Sequence, residues 1–76
     1  MPKLPVVTGT ETVKALKRAG FVFHRQRGSH MIFKDVAGRR RVSVPVHSGE
    51  DLPPGTLAGI LDDAELTKED FIQLLR

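Results

Sequence analysis

The chain has 76 residues, no cysteine and a formal net charge of +3, which excludes a disulfide framework and a thiolate metal site. It has no apolar run near the roughly 20 residues of a membrane-spanning helix and no signal-peptide pattern at its start, so we expect one cytoplasmic domain over residues 1–76. Residues 1–45 carry ten Lys or Arg against two acids, a local charge of +8, whereas residues 46–76 have a local charge of −5. A basic half of this kind favours a polyanionic partner, although ordinary solvated charges would give the same count.

The chain begins with an extended lead-in over residues 1–7 and continues into a first predicted helix. Thr8 and Glu11 have the spacing of a capping box, in which the threonine hydroxyl accepts from the Glu11 amide while the carboxylate reaches back. The helix runs to about Ala19 and presents one apolar stripe. Gly20 follows it, where a residue in the left-handed conformation ends the helix.

Three strands are predicted next, over residues 21–26, 29–36 and 40–46. Valines alternate with other residues along the third segment, which indicates one apolar face. Gly38 lies in the turn before it and is free to take a positive φ. Pro45 cannot donate to a ladder, so the third strand is an edge or ends there. Such short connections favour an antiparallel meander.

Two helices complete the chain after a loop at residues 47–51. The first has an apolar face around Leu57 and Leu61, and the second begins at a repeated capping signature, Thr67 to Asp70. The order α-β-β-β-α-α predicts an α+β protein that matches the double-stranded-RNA-binding-like fold, with a three-stranded antiparallel sheet and the helices on one face. The residues expected in the core are Val13, Leu16, Phe21, Phe23, Ile32, Val42, Val44, Leu57, Ile60, Leu61, Phe71 and Leu74.

Five sequence words stand out along the chain. They are LKRAGF at 16–21, RQRGSHMIF at 25–33, VSVPVH at 42–47, LPPGTLAGIL at 52–61 and LTKEDFIQLL at 66–75. In this order and spacing they resemble the HicA family, the small toxins of type II toxin–antitoxin pairs, over nearly the whole chain. The letters RGSHM also resemble the scar of a removed affinity tag, but they lie inside the chain and lead into an apolar run, so we interpret them as native.

The resemblance implies an mRNA interferase that needs no metal or other cofactor, is monomeric when free and is neutralised by a HicB-like antitoxin. The catalytic histidine of the family, in its Gly-Ser-His word, falls on His30, with Gly28 and Ser29 before it. Two features depart from the family pattern. The helix after the third strand, often basic in the family, carries aspartates at 62–63, and Glu65 stands near where a helix-ending glycine is common.

Histidine suits the chemistry of RNA cleavage. When the 2′ hydroxyl attacks the neighbouring phosphorus, a catalyst must take the 2′ proton, protonate the leaving 5′ oxygen and stabilise added negative charge. Histidine has an ordinary pKa of about 6.5, close to neutrality, so it can exchange these protons. We therefore predict acid–base catalysis at His30, with Arg25 and Arg27 as its charge partners. The alternative is a strand histidine that makes one hydrogen bond at a sheet edge.

Basic residues crowd the predicted sheet and its turns, and they predict a track for RNA phosphates. The predicted RNA-binding residues are Arg25, Arg27, Gly28, Ser29, Lys34, Arg39, Arg40 and Arg41. Because the chain has no Tyr or Trp, backbone contacts should dominate over base stacking. The alternative is a solvated sheet edge whose Lys and Arg prevent aggregation.

Two other functions fit the same residues. A non-catalytic RNA-binding module would use the basic face without needing His30, and a protein-interaction domain would bind an acidic partner. A zinc site of His24, His30 and His47 is a further alternative, although the sequence has no metal-ligand spacing signature. Alternation along the strand places His30 on the same face as Ile32, so an inward Ile32 would require His30 to lie at the start of its strand.

Overall fold

The computed structural model describes residues 3–76, so Met1 and Pro2 of the predicted lead-in lie outside the described residues. The elements are α1 (Gly9–Arg18), β1 (Val22–Arg27), β2 (His30–Lys34), β3 (Arg41–Pro45), α2 (Pro54–Ala64) and α3 (Lys68–Leu74). The predicted α+β arrangement, α-β-β-β-α-α with a three-stranded antiparallel sheet, is confirmed. No helix in this part of the chain has the length and apolar composition needed to cross a membrane.

The sheet has the order β1-β2-β3, and both pairs are antiparallel. β3 is an edge strand and ends at Pro45, as predicted from the missing amide hydrogen of proline. Gly38, in the turn between β2 and β3, has a φ of 72°, also as predicted. Beyond β3 the chain returns to the lead-in, where the amide of Leu52 donates to the carbonyl of Val7 at 2.8 Å.

One face of the sheet is covered by the helices and carries the core. α1 packs on β1 and β3, α2 packs on β3, and α3 packs against α1. Phe33 of β2 and Val42 and Val44 of β3 are fully buried in one cluster with apolar side chains of all three helices. Burial of one such side chain is worth about 1.5–3 kcal/mol, so this cluster is the main source of stability.

The other face of the sheet, called the open face below, is covered by no helix of residues 3–76. Because side chains alternate along a strand, His30, Ile32 and Lys34 of β2 point to it. Ile32 is nevertheless only 5% exposed, since it lies between Arg25 of β1 and Ser43 of β3, and long arginine side chains cover apolar surface well. Ile32 is therefore buried as predicted, but outside the helix-side core.

The prediction that Phe23 lies in the core is wrong. Phe23 is 46% exposed because it belongs to β1, an edge strand whose six residues are all exposed. Its ring packs edge-on against Phe33, with 5.9 Å between the ring centroids. Leu74, also expected in the core, is only partly buried, since it lies at the end of the last helix.

The predicted helix boundaries follow from local hydrogen bonds. At the start of α1 the amide of Glu11 donates to the Thr8 hydroxyl at 3.1 Å, and the amide of Thr8 donates to the Glu11 carboxylate at 2.9 Å. α3 begins with the same arrangement, so both predicted capping boxes are confirmed. Gly20 ends α1 with a φ of 100°, as predicted. α2 ends instead at Glu65, which has a φ of 57°.

Candidate functional site

His30 is the first residue of β2, and its side chain is exposed on the open face. It lies opposite Arg27 of β1 and Pro45 of β3. The two-residue turn before it connects β1 to β2, and within it Gly28 has a φ of 58°. A side chain at Gly28 would meet no atom within 4 Å. His30 thus stands at one end of the sheet, beside a space where a ligand backbone can approach.

A β-bulge between Phe23 and Arg25 decides which side chain lies opposite His30. The bulge adds one residue to β1 and shifts the rest of that strand by one position relative to β2. Without the shift, Gln26 would lie opposite His30; with it, Arg27 does. The bulge therefore places an arginine instead of a glutamine opposite the histidine in the strand register. No glycine marks this bulge, so the sequence does not predict it.

The open face is basic along its whole length. Arg25 and Arg27 of β1 lie on it by register, and so does the cross-strand pair of Lys34 and Arg41. The three strands contain no acidic residue. The Lys34–Arg41 pair is four residues along β2 from His30, about 13 Å at the rise of a strand. A polyanion on this face would therefore meet cations from the histidine to the opposite end of the sheet.

His24, at the bulge, responds to this positive potential. Its pKa is lowered below the ordinary value, by the charge of Lys34 above all and then by loss of hydration and by the charges of Arg25 and Arg41. Each of these cations opposes the addition of another positive charge. Cations that oppose a proton also attract phosphates, so their part of this pKa shift agrees with the predicted RNA track, which stays a prediction.

Arg39 and Arg40 lie in the β2–β3 turn, at the far end of the sheet from the candidate histidine. The Nε of Arg40 donates to Oδ2 of Asp35 at 2.9 Å, and its Nη1 donates to the carbonyl of Ala64 at 3.0 Å. Its guanidinium also lies over the ring of Phe21, 5.4 Å from the centroid. These contacts give Arg40 a role within the fold, whereas Arg39 is exposed. For both, RNA binding stays a prediction.

His47, whose position the sequence left open, belongs to the same end of the sheet as His30. The amide of Val46 donates to the carbonyl of Ser29 at 2.7 Å, so the chain still runs beside β2 after β3 has ended. The Nε2 of His47 lies 3.4 Å from Oγ of Ser29, the residue before His30. His47 is exposed, and with Pro45 it lines a groove that leads to the start of α2. The structure thus places His47 against the residue that precedes His30, a relationship that the sequence left open.

The third histidine is elsewhere. The register places His24 near the Lys34 end of β2, whereas His30 and His47 lie at its start. In residues 3–76 no three His, Asp or Glu side chains are grouped so that they could hold a metal ion. The structure therefore does not support a zinc site of His24, His30 and His47.

The fold and the site define a small α+β protein with an exposed Gly-Ser-His turn at one end of a basic sheet face. A protein-family model, described as the HicA toxin of bacterial toxin-antitoxin, matches residues 9–66, which span α1 to the residues just after α2. The chain belongs to the HicA toxin family, as its sequence words indicated, and is thus a toxin of the toxin–antitoxin kind. No curated protein sequence matches the chain.

Proposed function

We propose that this toxin is an endoribonuclease that cleaves mRNA by acid–base catalysis at His30, without a metal ion. One observation carries the proposal: His30 is exposed at the end of the open face, opposite Arg27 and beside the free space at Gly28. A proton-transfer group, a positioned cation and room for a phosphodiester are then adjacent, which is what cleavage of RNA by its own 2′ hydroxyl requires.

In the proposed reaction the 2′ oxygen attacks the adjacent phosphorus and the bond to the 5′ oxygen breaks. The products are a 2′,3′-cyclic phosphate and a 5′ hydroxyl. His30 takes part in proton transfer, which typically contributes about 10² to 10⁴ in rate. Arg27, which lies opposite, and Arg25 stabilise the negative charge that builds up at phosphorus. Because the sheet already holds the backbone of these residues in place, little reorganisation is needed during the reaction.

The RNA is proposed to follow the open face from His30 towards the pair of Lys34 and Arg41, with Gly28 and Ser29 admitting the backbone at the histidine end. The phosphates then contact cations on all three strands, and Arg39 extends this surface beyond the sheet. No phenylalanine ring of β1–β3 lies on the open face, since the register puts Phe23 opposite the helix-facing Phe33. Phosphate contacts therefore supply most of the affinity, and the affinity falls with added salt.

The antitoxin is proposed to be a HicB-like protein that covers His30 and offers acidic side chains to the open face. The family assignment supports a toxin–antitoxin pairing, and the positive potential of the open face supports an acidic partner. The free toxin is proposed to be a monomer in the cytoplasm. A tight complex that left His30 exposed and RNA cleavage uninhibited would contradict the proposed mode of inhibition.

The test is induced expression of the wild type beside His30→Ala, scored for growth and for RNA fragments, with purified proteins assayed in the presence of a strong chelator. We expect the wild type to arrest growth and to cut RNA with the chelator present, and folded His30→Ala to do neither. The matched control is His24→Gln, because the lowered pKa of His24 leaves it uncharged near pH 7. A folded His30→Ala variant that cuts RNA at the wild-type rate overturns the proposal.

A second candidate function is RNA binding without cleavage. It is favoured by the extension of the basic surface to Lys34 and Arg41, well away from His30. A binding module of this kind would bind RNA equally well as wild type and as His30→Ala, and it would release no fragments. The same two proteins therefore distinguish the candidates: fragments from the wild type alone support the nuclease, and equal binding with no fragments supports the binding module.

A further inference from the structure

We propose that His47 is the second proton-transfer group of the site, so that cleavage uses a pair of imidazoles, His30 and His47. This inference rests on the proposed endoribonuclease activity and adds a catalytic residue to it. It starts from the contact between the Nε2 of His47 and the hydroxyl of Ser29, the residue that precedes His30.

The chemistry calls for two groups because it moves two protons at two places. One proton leaves the attacking 2′ oxygen, and another must reach the departing 5′ oxygen. In an in-line displacement these oxygens lie on opposite sides of the phosphorus, so one imidazole cannot be within hydrogen-bond reach of both at once. A second donor or acceptor is needed a short distance from the first.

The sheet register supplies that distance. His30 pairs with Pro45, and His47 stands two residues beyond Pro45 along the same chain. Residues in this diagonal relation across an antiparallel pair have Cα atoms about 7–8 Å apart. The hydrogen bond from Val46 to the Ser29 carbonyl shows that the two segments are still paired at this point. Two imidazoles at this spacing can flank a single phosphodiester.

The turn next to His30 leaves room for a ligand backbone. The hydrogen bond from Val46 to Ser29 extends the pairing to the residue beside Gly28, and a Cβ built on Gly28 would meet no atom within 4 Å. Arg27 stands opposite His30 at the same end of the sheet and can hold the phosphate. Both imidazoles are exposed, so neither needs a conformational change to meet an RNA chain. We infer that each part that the reaction needs is supplied by the end of β1, the start of β2 and the segment just after β3.

Two protons move in the proposed step. One imidazole takes the proton of the 2′ hydroxyl as the 2′ oxygen forms its bond to phosphorus. The other, which begins protonated, gives a proton to the 5′ oxygen as the phosphorus–oxygen bond breaks. The products are a 2′,3′-cyclic phosphate and a 5′ hydroxyl, and the two histidines end with their protonation states exchanged. Return of one proton through solvent restores the pair.

A merely structural role for His47 would consist of its hydrogen bond to Ser29. His47→Gln separates the two roles, because a glutamine amide can still hydrogen-bond to Ser29 and cannot exchange protons near neutral pH. We expect purified His47→Gln and His47→Ala to be equally impaired, each losing about 10²- to 10⁴-fold in kcat, with thermal unfolding close to that of the wild type. Near wild-type activity in His47→Gln would overturn the proposal.

The decisive substrate is a short RNA in which sulfur replaces the bridging 5′ oxygen at the cleaved bond. Because a thiolate leaves without protonation, this substrate relieves the loss of a general acid and not the loss of a general base. We expect it to restore cleavage to only one of the two variants His30→Ala and His47→Ala, which also assigns the acid. If the sulfur substrate restores cleavage in both variants, or in neither, then His30 and His47 do not each carry out one of the two proton transfers.

The results for the wild type and the two alanine variants distinguish failure of the His47 role from failure of the proposed nuclease activity. If the wild type cuts RNA, His30→Ala does not and His47→Ala does, the nuclease stands and the role of His47 is refuted. If the wild type releases no fragments from either substrate, the proposed function itself fails, and the inference fails with it.

Discussion

Asp35 and Arg40 stabilise the turn between β2 and β3 through hydrogen bonds and an ion pair. Oδ2 of Asp35 accepts from the Nε of Arg40 at 2.9 Å, while Oδ1 accepts from the backbone amides of Arg39 at 2.8 Å and Arg40 at 3.2 Å. The other end of the Arg40 guanidinium donates to the last residue of α2. One carboxylate thus organises the turn, and one guanidinium ties that turn to the helix layer.

This pair predicts how stability depends on pH. The hydrogen bond from the Arg40 side chain, more than any other contact, lowers the pKa of Asp35 below its ordinary value. The unfolded chain then binds a proton at Asp35 more readily than the folded one, so the stabilisation is complete above the ordinary pKa and is lost as pH falls through the folded value. We expect Asp35→Asn to be less stable than the wild type at pH 7 and the difference to narrow in acid.

Urea unfolding at pH 7 and at pH 3 checks this expectation, with Asp63→Asn, a change at an exposed carboxyl of α2, as the control. A constant difference between Asp35→Asn and the wild type across this range would show that the carboxylate charge is not what stabilises the turn.

His24 provides a direct measure of the potential on the open face. Since Lys34 is the largest cause of its lowered pKa, we expect Lys34→Ala to raise that pKa towards the ordinary value. Titration of the imidazole proton signals by NMR measures the change in each protein. Lys17→Ala, on the exposed side of α1, should leave the His24 titration unaltered. A His24 pKa at or above its ordinary value in the wild type would contradict the potential inferred here.

Two helical glycines should respond oppositely to alanine. A Cβ at Gly9, the first residue of α1, would overlap the carbonyl oxygen of Pro45, whereas a Cβ at Gly59 in α2 would meet no atom within 4 Å. Gly59→Ala should therefore stabilise the protein by about 0.5–1 kcal/mol through helix propensity. Gly9→Ala should destabilise it by about 1–3 kcal/mol through overpacking. Thermal melts compare the two, and equal effects would show that Gly9 is not sterically required.

The end of α2 offers a stabilising change. Glu65 ends this helix with a φ of 57°, and the amide of Leu66 donates to the Leu61 carbonyl at 3.0 Å, an arrangement in which glycine is the usual residue. We expect Glu65→Gly to stabilise the fold by about 1 kcal/mol, or about 4–8 °C in Tm. Glu69→Gly, in the first turn of α3, should instead lower Tm, since glycine disfavours an ordinary helical position. Loss of stability in both variants would contradict the expectation that glycine is favoured at position 65.

The salt dependence of RNA affinity tests the phosphate track. In a His30→Ala background, where the RNA stays intact, we expect Arg25→Ala with Arg41→Ala to weaken binding and to reduce the salt slope by about 1.4, since each phosphate contact with a single strand contributes about 0.7. The matched control changes Lys14 and Lys17 of α1 to alanine. Fluorescence anisotropy at several salt concentrations gives the slopes, and equal slopes for both double variants would refute a track on the open face.

The sequence predicted those parts of the fold that depend on neighbouring residues. Capping boxes, the glycine after α1 and the alternating valines of β3 each act over a few positions, and all were confirmed. The exposure of Phe23 was missed because its burial depends on what covers β1, which no local pattern encodes. The bulge was missed for the same reason, since its free energy depends on how β1 pairs with β2.

The candidate site likewise contains one part that the sequence predicted and another that it did not. His30 was predicted from the Gly-Ser-His segment of the sequence. Its neighbours depend on the strand register, which places Arg27 opposite it, and on the position of His47 close to Ser29. The internal contacts of Arg40 were hidden as well, because a run of three arginines looks uniform in sequence. Contacts with the turn and with the end of α2, and not residue type, distinguish Arg40 from the other members of that run.

The separation of charge between the two sides of the molecule has a consequence for recognition at a distance. The charged residues of the open face are all basic, whereas the acidic pairs Asp62-Asp63 and Glu69-Asp70 lie on α2 and α3 behind it, in the same layer as the basic residues of α1. The open-face cations and these acidic pairs contribute a dipole whose positive end points out of the sheet. A polyanionic chain that comes within roughly 8–10 Å, the screening length of physiological salt, exerts a torque on the protein. This torque turns the open face towards the chain before the surfaces touch. Productive encounters then need less rotational search than random collisions would.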